Sequence, residues 1–557
     1  MSLISQWSSY PAFSDRVLSL IGIEIHWAIL QYVLGLSFMA FLSYLIYLKT
    51  GNSKWERLSK TMVKGFVLVF AVGAATGTAS EFGLILLWPN LTEAAGRYIY
   101  FPLYAEIFAF LMEVVFVYML FYGWSKFPKK IVAVVMLLVF IGAWYSAAMI
   151  VSVNSFMVAP TGLKPAFNVE SGGWLYDMSY PKITLAIPTS IAEALNITAL
   201  QALGTEIIDY HGNSVIAAVP VRITQRLAYE AWNGYLVKDS ILASIANKTY
   251  VEAHPDILND SIKSLLDSIM VKTVEYMGVA TITFKSPVYP ASILHTIGSA
   301  LTVSGFTATA AYALRLRKAN KINKQYREYV SAAFKFTAVF TLIAIGFQGF
   351  VSGHEMGVSI AHYNPEKFAA IEATTDEITA LTRILPGGEK LPALLAYGDP
   401  NAPLPSYDGI PRDYCALLVE DMERIGDCRP PLLIHYLYYT KIGLGLALGL
   451  YALIIVYFAV IRARMKGEIP GILLKIAPLS VALVQLVSFL GWAVREIGRK
   501  PWTIYGIMTT DVAHTSNPPS QPVIILVATF FIGLLAILSY SAWRILWLPG
   551  NKQGINS

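Results

Sequence analysis

The sequence predicts an all-α membrane protein with about nine transmembrane helices, an external N-terminus, an internal C-terminus and two long extracytoplasmic loops. Of its 557 residues, 55% are hydrophobic and only 14% are charged, whereas soluble domains carry about 25% charged residues. Nine apolar stretches have about the 20 residues that a helix needs to cross a bilayer, where backbone groups must pair internally. These spans, numbered 1 to 9, are 19–48, 61–88, 97–124, 131–155, 288–314, 331–351, 432–461, 472–493 and 521–546.

The orientation follows from basic residues in the four short connections that join spans 1–2, 3–4, 5–6 and 7–8. All four connections fall on the same side, and the positive-inside rule makes that side cytoplasmic. A net charge of +6 that is placed in such loops does not indicate a nucleic-acid partner. The residues are Lys49, Lys54, Arg57, Lys60, Lys126, Lys129, Lys130, Arg315, Arg317, Lys318, Lys321, Lys324, Arg327, Arg462, Arg464 and Lys466.

The spans divide the chain into five regions. An outer insertion separates spans 4 and 5 and contains a helix-like stretch from Ile241 to Val274. The second outer loop contains Cys415 and Cys428, and both a disulfide and a free pair remain open there. No removable signal peptide is predicted, because no Lys or Arg precedes Arg16. The regions are 1–155, 156–287, 288–351, 352–431 and 432–557.

Polar and ionisable side chains inside the spans gather toward the outer face. Such residues are costly in a bilayer and are functional candidates by default. Each alone has a simpler explanation, since a residue near a span end can extend to the interface. Their shared location at one face favours a common site. The residues are Glu24, His26, Thr76, Glu81, Glu106, Glu113, His295, His435, Lys441, Arg495, Glu496 and Arg499.

The two acids of span 3 share one helix face, because Glu113 lies seven residues, almost two turns, after Glu106. This pair indicates a proton path, or a metal or haem site; the alternative is a pair of protonated acids that bond to neighbouring helices. His26 and His295, on separate helices, suit haem iron, which takes axial histidines in the core of a helix bundle.

Several motifs then resemble subunit I of the cytochrome bd quinol oxidases. The run Gly491-Trp-Ala-Val-Arg-Glu-Ile-Gly-Arg-Lys-Pro-Trp502 is similar to the GWxxxExGRQPW signature of that family. The resemblance covers roughly 10–160, 288–380 and 430–515. Further similar segments are Thr76–Phe82 (TGxxxEF), Pro102–Glu106 through Glu113 (PLxxE…E), Ser152–Gly162, Gly353–Gly357 (GDxSG) and Lys367–Glu372 (KxAAIE).

The resemblance implies a terminal respiratory oxidase in a prokaryotic cell membrane. Such an enzyme oxidises membrane quinol on the outer side, reduces O2 to water at a high-spin haem pair and generates membrane potential by charge separation. The implied cofactors are a low-spin haem b, a high-spin haem b and a haem d, or haem b in place of haem d. The implied partner is a second membrane subunit, in a heterodimer.

The resemblance also implies roles for individual residues. His26 and Glu106 become axial ligands of the two high-spin haems, with either assignment open. His295 becomes a ligand of the low-spin haem. The remaining roles are proton delivery by the acids Glu113 and Glu496, quinol binding by Lys367 and Glu372, and support of haem propionates or electron transfer by Arg499 and Trp502.

The chain departs from the family pattern at the second ligand of the low-spin haem. The family has a Met two residues before a Gly in span 7, but alignment on Gly443 places Lys441 there, and no Met lies between Leu432 and Tyr457. The second ligand is therefore expected to be Lys441 or His435. Further departures are Lys500 in place of Gln, His354 in place of Asp, and the long insertion at 156–287.

Two other functions compete with this interpretation. A haem-poor structural paralogue of subunit I would fit the missing Met, but it would have no reason to retain His26, Glu106, Glu113 and His295. A secondary transporter would tend to show internal repeats and broken helices, and neither is evident in the sequence.

Overall fold

The computed structural model of the protein is mainly helical. It describes residues 13–89, 91–92, 100–160, 166–174, 182–194, 196–202, 204–220, 286–319, 323–372, 374, 390–415, 425–462, 469–506, 508–514, 520–542 and 544. Structural statements below refer to these residues.

Eight helices of the described chain are long and apolar enough to cross a membrane, and they correspond to predicted spans 1 to 8. Their apolar runs explain their formation, because a helix satisfies its own backbone in lipid. The helices are α1 (Phe13–Thr50), α2 (Ser53–Leu87), α3 (Tyr100–Gly123), α4 (Lys129–Val158), α7 (Tyr289–Ala319), α8 (Lys324–Gly346), α12 (Leu433–Val456) and α13 (Gly471–Ile497).

The predicted ninth span falls on helix α15 (Gln521–Ala542). Its apolar stretch in the described residues, Pro522–Leu538, is shorter than those of the other eight. The all-α membrane class predicted from the sequence is confirmed. The side of the membrane on which each loop lies stays a prediction.

Helix α1 lies at the centre of the bundle and packs along α2 and α7. A Cβ added to Gly35 of α1 would lie 2.2 Å from Ser304 Oγ of α7, so only glycine permits this approach. Ser304 also donates a hydrogen bond to the Gln31 carbonyl at 3.0 Å. This close contact fixes the outer halves of α1 and α7, which carry His26 and His295, relative to each other.

The sixth spanning helix does not end at residue 351, as the sequence predicted. It continues from α8 through a π-helical segment, Phe347–Ser352, into α9 (Gly353–Tyr363). The 353–357 segment, which falls in the predicted extracytoplasmic region 352–431, is therefore helical. Polarity rises at His354 without a helix-breaking residue, so the fall in hydropathy does not mark the end of the helix. A second outer helix, α10 (Pro365–Glu372), follows.

The outer insertion contains a small antiparallel sheet that the sequence analysis did not predict. Strand β5 (Ser214–Pro220) lies between β3 (Lys182–Pro188) and β4 (Glu206–His211). Buried Val215, Ala217 and Val219 alternate with less buried residues along β5, as expected of a strand with one covered face. The predicted helix-like stretch 241–274 lies outside the described residues.

The other described elements are short. They are β1 (Phe167–Asn168), β2 (Gly173–Trp174), α5 (Thr189–Ala194), α6 (Ile197–Ala202), α11 (Leu391–Tyr397), β6 (Trp502–Ile504), β7 (Met508–Thr509) and α14 (Thr510–Ala513).

The second outer loop is closed by a disulfide between Cys415 and Cys428, both fully buried. The sequence left open a disulfide or a free pair of cysteines, and the structure contains the disulfide. The Cys428 backbone N–H also donates to the Arg412 carbonyl at 2.8 Å. The loop that leads into α12 is thereby held in place at the N-terminal end of that helix.

We expect the protein, denatured without reductant, to incorporate no maleimide, because its only two cysteines are joined. After reduction it should incorporate two maleimides per chain, which intact-mass spectrometry measures. Two labels without prior reduction would show that the bond is absent.

Candidate functional site

His26 on α1 is held in one orientation by the TGxxxEF segment of α2. Its Nδ1 lies 3.1 Å from Thr76 Oγ1, whose own hydrogen is directed to the backbone carbonyls of Val72 and Gly73. The hydroxyl therefore accepts from Nδ1–H, and Nε2 retains its lone pair. A Cβ on Gly77 would lie 2.8 Å from His26 Cε1, so this glycine makes room for the ring.

The carboxylates of Glu106 and Glu113 both face α4. Ser146 donates to Glu106 Oε1 at 3.0 Å, and a Cβ on Gly142 would lie 2.9 Å from Glu113 Cγ. The shared face predicted from the sequence spacing is therefore present. Glu113 is buried, and its Oε1 has no hydrogen-bond partner among the described residues.

The side chain of His295 on α7 is contacted by a glutamine that the sequence analysis missed. Gln348 Nε2 lies 3.3 Å from both ring nitrogens of His295, and Ser352 donates to Gln348 Oε1 at 2.8 Å. Both polar residues belong to the π-helical segment, a feature that often occurs at functional sites. A Cβ on Gly298 would lie 2.1 Å from Gln348 Oε1, so the glycine accommodates the amide.

Lys441 and His435 on α12 are the two candidates for the second ligand of the low-spin haem, and their side chains make different contacts. The ammonium of Lys441 lies 4.6 Å from the centre of the Tyr438 ring. Lys441 Cδ would lie 3.5 Å from a Cβ on Gly491. His435 instead contacts α10, where its Nδ1 lies 2.6 Å from the Ile371 carbonyl.

A polar network joins the outer ends of α4 and α13. Asn154 donates from Nδ2 to Glu496 Oε1 at 3.2 Å, and its Oδ1 accepts from Arg495 Nε. Arg499 donates to Glu496 Oε2 at 2.5 Å, while Arg495 Nη2 reaches Ser292 Oγ at 3.3 Å. Asn154 is a second residue that the sequence analysis missed, although it lies within the family-like segment that begins at Ser152.

The two predicted quinol residues lie on α10, and both are buried. Lys367 Nζ donates to the Arg495 carbonyl at 3.2 Å; burial, together with the charge of Arg495, holds the pKa of Lys367 well below its usual range. Burial raises the pKa of Glu372 to about 7, opposed by a hydrogen bond from Tyr439. Tyr439 OH donates to Glu372 Oε2 at 2.7 Å.

The GRKPW segment is also buried. Arg499 is 4% exposed, and its Nε and Nη1 have no hydrogen-bond partner among the described residues. Trp502 Nε1 donates to Tyr414 OH at 3.0 Å, which ties the segment to the disulfide-closed loop. Lys500 Nζ donates to Thr510 Oγ1 at 3.0 Å.

A cavity of about 310 Å³ lies between α1 and α13. Glu24 and Gln31 line it from α1, and Ser488 lines it from α13. Gln31 Nε2 donates to Ser488 Oγ at 2.7 Å. The Oε1 atoms of Glu24 and Gln31 are buried without a described partner.

A family model described as cytochrome bd terminal oxidase subunit I matches residues 15–213 and 268–548. The chain belongs to the cytochrome bd oxidase subunit I family. The match leaves out 214–267, which lies within the insertion predicted at 156–287. It confirms the resemblance inferred from the motifs and makes the chain a multi-pass membrane protein of a terminal oxidase family.

Individual relatives agree with the family. The chain is 24% identical over 518 residues to the Bacillus subtilis (strain 168) protein named "Putative cytochrome bd menaquinol oxidase subunit I", with 90% of this chain and 88% of the relative covered. A second protein of that organism, named cytochrome bd ubiquinol oxidase subunit 1, is 34% identical over 148 residues, covering 26% of this chain and 31% of the relative.

The solved bd oxidase structure from Geobacillus thermodenitrificans shares the fold of this chain. The TM-score is 0.63 at 20% sequence identity, with 96% of this chain and 97% of that chain covered. The cytochrome bd oxidase fold is therefore shown across nearly the whole chain.

The donor set of the site fits the haems that the family implies. His26 has a free Nε2 opposite a hydrogen-bonded Nδ1, the usual state of an iron-binding imidazole. Arg499 has two buried N–H-bearing nitrogens without described partners, which suit a propionate. The partly buried Glu106 and the buried Glu113 lie on α3 and face α4.

We expect Thr76→Val to weaken haem retention at His26 by about 10- to 100-fold, because the hydrogen bond that orients the ring is lost. Haem per polypeptide after purification and the high-spin electron paramagnetic resonance signal measure this effect. Thr76→Ser retains the hydroxyl and is the matched control. Equal haem content in the Val and Ser variants would contradict the proposed orientation of His26.

Proposed function

We propose that the chain is the haem-bearing subunit of a quinol:oxygen oxidoreductase. The observation that carries this proposal is the convergence of ligand-type side chains from α1, α3, α7, α12 and α13 at one end of the bundle. The family model is described as a terminal oxidase subunit. The names of two relatives describe them as menaquinol and ubiquinol oxidase subunits. These names support a membrane quinol as the electron donor.

Two high-spin haems are proposed to bind at His26 and Glu106, and a low-spin haem b at His295. When bound, the haems supply iron that accepts single electrons and binds oxygen. The family leaves open whether the third haem is haem d or haem b. The chain itself orients His26 through Thr76 and places Glu496 in a network that includes Arg495 and Arg499.

Lys441 is the proposed second ligand of the low-spin haem. By alignment on Gly443 it stands at the position of the family Met. His435 is engaged with the Ile371 carbonyl of α10 instead. An amine binds iron only when it has lost its proton.

Quinol is proposed to bind beside α10, where Lys367 and Glu372 are buried at the junction with α12 and α13. A carboxylate with a pKa near 7 accepts a proton at neutral pH and releases it again. Protons for oxygen reduction come from the inner side, and the intramembrane acids Glu106 and Glu113 support such a path. Release of protons outside and uptake of protons inside separate charge across the membrane.

A second membrane subunit is the proposed partner, since the family and the relatives are named as subunit I or subunit 1. The experiment that tests the function is oxygen consumption by the purified complex with menaquinol or ubiquinol analogues. We expect quinol-dependent oxygen uptake that His26→Ala abolishes and that the exposed variant His211→Ala retains. A complex that contains haem but consumes no oxygen with either quinol would overturn the proposal.

Lys441→Leu should convert the low-spin haem to a high-spin form, because leucine offers no donor atom. Lys441→Met should retain a low-spin haem with methionine ligation, the arrangement of the family. Optical and near-infrared magnetic circular dichroism spectra distinguish amine, methionine and vacant coordination. An unchanged spectrum in Lys441→Leu would remove Lys441 from the ligand set.

Quinol oxidation should accelerate as the pH rises through about 7, because the Glu372 carboxyl must be ionised to accept a proton. Tyr439→Phe removes a hydrogen bond that lowers the pKa of Glu372, so the midpoint should shift to higher pH. The rate at saturating quinol, measured against pH, tests both expectations. Tyr210→Phe, on an exposed tyrosine of β4, is the control and should not move the midpoint.

A further inference from the structure

His435 is a buried histidine for which the proposed haem ligation leaves no role. Its side chain is 0% exposed, and its Nε2 has no hydrogen-bond partner among the described residues. A buried polar atom without a partner costs about 1–3 kcal/mol. Such an atom is a candidate contact for a bound molecule.

The tautomer of His435 follows from its one hydrogen bond. Nδ1 lies 2.6 Å from the Ile371 carbonyl, which can only accept, so Nδ1 carries the hydrogen. The neutral ring then presents a lone pair at Nε2. This is the state of a histidine that accepts a hydrogen bond, and then a proton, from a hydroxyl group.

The surroundings of His435 connect it to the proposed quinol residues. The Ile371 carbonyl belongs to the residue directly before Glu372, and Tyr439 lies one turn after His435 on α12. The rings of His435 and Tyr439 are 4.8 Å apart, and Tyr439 donates to Glu372 at 2.7 Å. The imidazole and the carboxylate are thus held together at the junction of α10 and α12.

We propose that His435 Nε2 is the second proton acceptor of the quinol site, paired with the Glu372 carboxylate. This inference rests on the proposed quinol oxidase function and deepens it. A quinol that becomes a quinone loses two electrons and two protons. One proton goes to Glu372 and the other goes to Nε2 of His435. The two electrons leave the quinol one at a time, and a low-spin haem bound at His295 would accept each in turn and pass it on.

The arrangement also accounts for the backbone contact. Because Nδ1–H remains on the Ile371 carbonyl in both charge states, the ring keeps its orientation while Nε2 gains and loses a proton. Three titratable side chains of α10 and α12 lie beside the His435 ring in the part of the chain that the structure describes. They are the acid Glu372 and the tyrosines Tyr436 and Tyr439.

The test uses His435→Asn in the intact complex. Asparagine can keep a donor near the position of Nδ1 but has no atom at the position of Nε2. We expect kcat/KM for decyl-substituted benzoquinol or naphthoquinol to fall at least 10-fold. Haem content, the reduced-minus-oxidised spectrum after dithionite and the magnetic circular dichroism of the low-spin haem should all remain unchanged.

His211→Asn, on an exposed histidine of β4, is the matched control and should retain wild-type kinetics. Unchanged quinol kinetics in His435→Asn would overturn the inference. A loss of the low-spin signal would also overturn it and would make His435 an iron ligand. Failure of the proposed function is distinguishable, because wild type and His211→Asn would then also lack quinol-dependent oxygen uptake.

Discussion

The position of the site depends on the burial of charged groups between α4 and α13. Arg495 and Glu496 lie where an apolar bundle meets the outer surface, and unpaired charges there would cost several kcal/mol each. Asn154 bonds to both of them, so α4 and α13 can pack only in one register. Arg495 extends the constraint to α7 through Ser292 and to α10 through Lys367.

Once that register is set, the rest of the site follows from helix packing. The glycine contact between Gly35 and Ser304 fixes α1 against α7, and α2 then places Thr76 beside His26. Helix α13 passes Gly491 beside Lys441 on α12. Ligand-type side chains from distant parts of the chain thus lie at the same end of the bundle without a single continuous binding loop.

The sequence was sufficient to predict the spans and the ionisable residues, because membrane insertion selects long apolar runs and makes charged residues in them rare. It was insufficient for Gln348 and Asn154, which are polar but uncharged and become conspicuous only through their contacts with His295 and Glu496. The end of span 6 was placed too early, since a helix that leaves the bilayer loses hydropathy without ending. The sequence does not distinguish Lys441 from His435, because both lie on one helix; in the structure the two side chains make different contacts.

The central claim is that this chain holds three haems at the outer end of its bundle. The most direct test is the haem-to-polypeptide ratio of the purified chain, measured by pyridine haemochrome together with a reduced-minus-oxidised spectrum. The account predicts three haems per chain, two high-spin and one low-spin, and loss of high-spin haem in His26→Ala. A chain without haem, or one whose haem content is unaffected by His26→Ala and His295→Ala, would contradict it.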